Sequence, residues 1–214
     1  MTDTDATDLT AIADAIVRRF ETVNAARDRA LSEGRQIVRL SANTIRAVHR
    51  GEFPAAERLL TEARQRLTEL MSALAPYPNL YWAGYVQDAM KEYTEARVLA
   101  AVVRDEPVPT PEALGVEDAP YLNALAEAAS ELRRQILDLL RADDLARAER
   151  LLTVMDEIYG LLVTIDFPDA ITGGLRRTTD QLRAVLERTR GDLTLSAQQR
   201  RLERALHEAE QRLP

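Results

Sequence analysis

Two pairs of carboxylates carry the chemistry this chain could do. Glu92 and Glu95 stand three residues apart in Lys91-Glu-Tyr-Thr-Glu-Ala96, and Glu127 and Glu131 stand four apart in Ala126-Glu-Ala-Ala-Ser-Glu-Leu132. Both stretches have helical periodicity, so each pair shares a helical face. Two such helices side by side would offer four oxygen ligands to a divalent cation. A cation held that way activates water and neutralises charge on a phosphate, which is the chemistry of a metal-dependent phosphodiesterase. On spacing alone the pairs fit a solvated helical face better than a site, because Glu is common there.

Other chemistries are thinned out by composition. The 214 residues include no Cys and only two His, His49 and His207, so disulfide frameworks, Cys-containing zinc sites and His-rich metal sites are excluded. The Glu-x-x-His signature of di-iron bundles is absent, as are glycine-rich phosphate loops and nucleophile elbows. Any metal is therefore a hard cation on oxygen. His49 and His207 read as a helix-end residue and a surface residue rather than ligands.

A second constellation is basic. Arg35, Arg39, Arg46 and Arg50 fall within roughly 60° of one another on a helical wheel. Such a stripe could track a phosphate backbone or form ion pairs with Glu and Asp elsewhere. The formal net charge of −7 argues mildly against a general polyanion binder but leaves room for a local stripe. Of the 28 basic residues only Lys91 is a lysine. Trp82, Tyr93 and Tyr121 read as core residues, with base stacking as a lesser option.

The elements that must position these residues are helical throughout. Gly and Pro sit at punctuation points, and the 46% hydrophobic content supports one domain with a real core. The periodicity predicts an all-α chain of about seven helices: 9–50, 55–74, 79–104, 120–141, a fifth capped by Asp143 or Asp144, 169–190, and a last one from Gly191-Asp-Leu-Thr194 to near Leu213. Gly34 would bend or weaken the first. Pro107, Pro109 and Pro111 mark the one extended loop, with a helical turn after Thr110. The wheel puts Glu92 toward the side of the third helix's apolar face, Glu95 further round, and Glu127 and Glu131 opposite the fourth helix's stripe. The last helix carries Leu195, Leu202, Leu206 and Leu213 in a narrow stripe suited to a partner helix. The expected organisation is a flexible start at residues 1–8 and a single helical domain over 9–214. No apolar run approaches the length of a membrane span, and the acidic start lacks signal-peptide features, so a soluble, cytoplasmic protein is expected.

The stretch Ser32-Glu-Gly-Arg-Gln-Ile-Val-Arg-Leu-Ser-Ala-Asn-Thr-Ile-Arg-Ala-Val-His-Arg-Gly51, the Glu92-Tyr-Thr-Glu-Ala96 motif, and the run from Tyr121-Leu122 through Glu127 and Ser130-Glu131-Leu132 to Asp143-Asp144 resemble the translin superfamily. The resemblance covers residues 9 to the end and is closer to the translin-associated factor X branch, which carries Glu-Tyr-x-Glu-Ala in its third helix. It implies a seven-helix translin-like bundle and a Mg²⁺-dependent (or Mn²⁺-dependent) endoribonuclease acting on single-stranded RNA. By position Glu92 and Glu95 match the branch's first two catalytic, metal-binding acids and Glu131 its last; Glu127 stands where the branch usually has Asp. The implied assembly is a hollow octamer with interior sites, as a homo-oligomer or with a paralogue, and first-helix arginines would hold the strand. The alternative is a translin-type oligomer that binds single-stranded RNA or DNA without cutting it.

Overall fold

A computed structural model describes residues 9–211. Both the expected flexible start and Leu213 lie outside the described residues. Within them the chain forms helices and no strand: α1 (Leu9–His49), α2 (Phe53–Leu74), α3 (Pro78–Tyr81), α4 (Gly84–Val103), α5 (Pro111–Leu114), α6 (Asp118–Arg141), α7 (Leu145–Leu162), α8 (Asp169–Thr172) and α9 (Leu175–Glu210). Six of these are long. The other three are single turns inside connections.

The punctuation is chemical. Pro54 opens α2, where a missing N–H costs nothing. The Thr110 side chain accepts from Ala113 N to cap α5, and Gly115 ends that turn in the left-handed region at φ 68°. Asp144 caps α7 by accepting from Arg147 N at 3.0 Å. Gly34 does not bend α1. A Cβ there would stand 3.4 Å from the Tyr85 carbonyl oxygen, at the edge of ordinary van der Waals contact with the start of α4.

Two helical boundaries differ from the sequence reading. The expected third helix is broken at Trp82-Ala83 into α3 and α4, and Trp82, assigned to the core, is 59% exposed. Pro78 starts a turn that closes at Trp82, and the extended Ala83 then restarts the helix as the N-cap of α4. The expected sixth and seventh helices are largely one. The break comes at Gly173-Gly174, both at positive φ, while Gly191 lies within α9 with nothing near it. A lone glycine weakens a helix by about 1 kcal/mol, and the flanking turns of α9 hold it through.

Helix α4 is the axis of the bundle. It packs against α1, α2 and α6, while α6 in turn packs on α7 and α9. Thirteen of its 20 residues are buried, from Val86 to Val103, which leaves it almost no solvated face. By contrast α1 buries nothing before Ala30. Its first 20 or so residues, about 30 Å of helix, extend past the core with Ile12, Ile16, Phe20 and Val23 exposed. The far end of α9 likewise shows Leu195, Leu202 and Leu206 to solvent.

Candidate metal centre

The adjacency of α4 and α6 brings three of the four sequence-marked acids together. One carboxylate oxygen from each of Glu92, Glu95 and Glu127 lies within 4.8 Å of the others, close enough to share one cation. Because α4 is enclosed on most sides, the face turned toward α6 is interior as well. This reverses the wheel's ranking: Glu95, expected further round the surface, is buried at 8% exposure, while Glu92 and Glu127 are half-buried. The fourth acid, Glu131, stands one turn beyond Glu127 on α6.

Burial first, and then the charges of Glu127, Glu92 and Glu131, push the Glu95 carboxyl up to about 8; Lys91 opposes them without prevailing. Three carboxylates around one point, with the charge of Glu131 acting on Glu95 as well, leave a deficit of positive charge. Lys91, the chain's sole lysine, supplies part of the balance: its Nζ donates to Glu127 Oε2 at 2.6 Å and lies 3.3 Å from Glu92 Oε1. Burial works against its ammonium, but the bond to Glu127 and the charges of Glu127 and Glu92 outweigh burial and hold it above its ordinary value.

Glu131 is oriented from another helix. His49, the last residue of α1, is 2% exposed in its side chain and donates from Nε2 to Glu131 Oε2 at 2.9 Å. Gln135 Nε2, one turn on along α6, donates to His49 Nδ1 at 3.1 Å, so an imidazole protonated on Nε2 is satisfied on both sides. The His49 bond, with some help from Arg134, keeps the Glu131 carboxyl below its usual range against the effect of burial. Sequence reasoning placed His49 at a helix end, which is where it lies, but saw no carboxylate near it, because its partner is 82 residues away. Lys91 was visible only as the one lysine, and nothing in the sequence marked it as part of the site.

The arginine stripe runs along α1 toward His49. All four arginines are exposed, and Arg46, three residues before His49, is its neighbour on the helix surface. Arg50 is held bidentately by Glu52 at 2.9 and 2.7 Å, and Arg46 donates to Asn43 at 2.8 Å, so the end of the stripe is partly compensated. Arg35 turns back on its own helix, donating from Nε to the Leu31 carbonyl. Exposed Arg134 on α6 adds a cation near Glu131 that the sequence reading did not include.

The donor set decides which ion fits. Three carboxylates, no sulfur, and a histidine turned to a carboxylate rather than to the cluster make a donor set that suits a hard cation such as Mg²⁺ or Mn²⁺.

Known proteins share this arrangement of helices. An uncharacterized protein of Methanocaldococcus jannaschii is 30% identical over 178 residues, which are 82% of this chain and 78% of the relative. Among solved structures, AfC3PO is similar at a TM-score of 0.80 and 32% identity, both in its crystal structure and in a complex with duplex RNA, over 88% of this chain and 97% or more of that one. The structure of apo-NeC3PO, 19% identical with a TM-score of 0.78 over 86% of this chain, shares the fold. No family model matches.

Proposed function

The chain belongs to the translin superfamily, and from that premise we propose that it is a nucleic-acid-binding oligomer that cleaves RNA with a divalent cation bound by Glu92, Glu95 and Glu127. The observation that carries the reading is the convergence of those three carboxylates within 4.8 Å, from two helices, around a buried Glu95. The likeness to AfC3PO, which has been solved with duplex RNA, supports RNA as the ligand. The Glu-Tyr-Thr-Glu spacing on α4 supports the translin-associated factor X branch within the superfamily.

The site residues divide the work. Glu92, Glu95 and Glu127 hold the cation, and Glu131, fixed by His49 with one oxygen left over, completes the acidic rim and is placed to accept a proton or a metal-bound water. When bound, Mg²⁺ or Mn²⁺ would supply Lewis acidity at the phosphate and a water of lowered pKa. Lys91 gives a second positive charge beside Glu127 where charge develops on a phosphate. Arg35, Arg39, Arg46 and Arg134 provide cations along the approach, which is why salt-dependent binding is expected despite the net charge of −7.

The test is cleavage of an end-labelled single-stranded RNA in a Mg²⁺ and Mn²⁺ titration. Wild type is expected to give products only with metal, and Glu95→Gln and Glu92→Gln to lose about 100-fold or more while still binding RNA. Undiminished cleavage in both variants would overturn the reading. One observation favours a second, non-catalytic reading as a single-stranded RNA- or DNA-binding oligomer: Lys91 already bridges Glu127 and Glu92. Salt-dependent binding without products at any metal concentration would establish that reading instead.

A further inference from the structure

One face of the acid cluster opens into a cleft of about 540 Å³, the size of a small-ligand site, and the chemistry of its two ends differs. Lys91 and Glu127, which belong to the metal centre, line one end, and Trp82 and Ile171 line the other. Trp82 lies two residues before α4, and Lys91 lies roughly 10 Å along the axis of that helix from Gly84.

Trp82 is not a loose surface side chain. It closes the single turn α3, with its backbone N–H donating to the Pro78 carbonyl at 3.0 Å. The Tyr81 ring meets its indole edge to face at a centroid distance of 5.2 Å, and Tyr81 is itself anchored by donating from its hydroxyl to Glu117 at 2.6 Å. A large apolar ring held this firmly and still 59% exposed is an aromatic platform with its ordering cost already met. Between the two ends lie Gln87 and the exposed Asp88, whose oxygens can accept from exocyclic amino groups. Asn123 on the cleft wall has no free amide for a phosphate: its amide donates to the Ala119 and Thr172 carbonyls and its oxygen accepts from Thr178.

We propose that this cleft is a nucleobase subsite, in which an unpaired base of an RNA strand stacks on Trp82 while the neighbouring phosphate lies at Lys91 and the acids. It rests on the reading above and specifies how the strand is held: the nucleotide beside the cut must be unstacked from its neighbours to reach Trp82. An aromatic face gives affinity without base identity, whereas Asp88 gives a preference for bases with an amino group, adenine, cytosine or guanine over uracil.

Trp82 is the chain's sole tryptophan, so its emission reports this site alone. Wild-type protein in EDTA, which leaves RNA uncut, is titrated with hexaadenylate, with an abasic hexamer of the same charge, and with a blunt duplex, while binding is followed separately by anisotropy of the labelled strand. Hexaadenylate is expected to quench the emission saturably, and the abasic strand and duplex to quench it far less. Trp82→Leu should weaken hexaadenylate binding by about 5- to 100-fold, with Trp82→Tyr largely restoring it. Anisotropy showing tight binding with unchanged emission and an unaffected Trp82→Leu variant would overturn the subsite and leave the nucleic-acid reading standing. The subsite is equally overturned if acrylamide cannot reach Trp82 in the assembled protein, or if duplex and single strand quench equally. Absence of any oligonucleotide binding would overturn both.

Discussion

Glu95 concentrates the site's physics in one carboxyl, since it is buried and feels the charges of three others. Its folded value, about 8, lies above the ordinary 4.5, so the metal-free folded state holds a proton that the unfolded chain has released. Stability must then fall as pH rises from about 4.5 toward 8, the reverse of a carboxylate stabilised by a partner. Thermal melts in EDTA between about pH 5 and pH 9 should show a declining Tm for wild type and a much flatter profile for Glu95→Gln, which cannot ionise. Added Mg²⁺ should raise the wild-type Tm most at the alkaline end, where the carboxylate is free to take it. A wild-type profile as flat as the variant's would show that Glu95 is not desolvated as described. Glu131 behaves oppositely: its bond to His49 contributes stability above the ordinary carboxylate range and loses it as pH falls through the depressed folded value.

At the level of elements, the site depends on α4 being enclosed. A helix with a single buried face would leave Glu95 in water; contact with α1, α2 and α6 turns its remaining face inward and sets it against Glu127. The helices elsewhere tolerate more. Gly191 in α9 is exposed, helical and free of neighbours within 4 Å, so Gly191→Ala is expected to stabilise the protein by about 0.5–1 kcal/mol, measured by chemical denaturation. Destabilisation would indicate that α9 breaks at this point, as the sequence pattern suggested. Much of the fold could be read from the chain: the span of α1, the turn after Thr110 and the Asp144 cap follow from local rules of periodicity and capping. The Trp82-Ala83 interruption could not, because it arises from how a proline-started turn joins a helix, and the apolar periodicity from Trp82 onward reads straight through it.

The whole molecule shows what one chain leaves unburied. The first half of α1 and the end of α9 carry Phe20, Ile16, Leu202 and Leu206 in the open, on helices with few tertiary contacts to sustain them. Isolated helices of this kind are stabilised by burying an apolar stripe against a partner. Sedimentation or native mass spectrometry is expected to give a multiple of the 24.0 kDa protomer, and Phe20→Glu or Leu202→Glu to lower it. A wild-type mass of one protomer would refute the assembly and remove the reason for these extensions.

The sequence by itself determined the helical class, most of the long elements though not where the third and last of them break, and three carboxylates that do converge, because helix periodicity places residues three and four apart on one face regardless of context. Tertiary structure alone decided which of those carboxylates is buried, that Lys91 balances them, and that His49 reaches Glu131 across 82 residues. Those outcomes depend on which helices lie side by side. A local pattern specifies a face, and only packing specifies what that face meets.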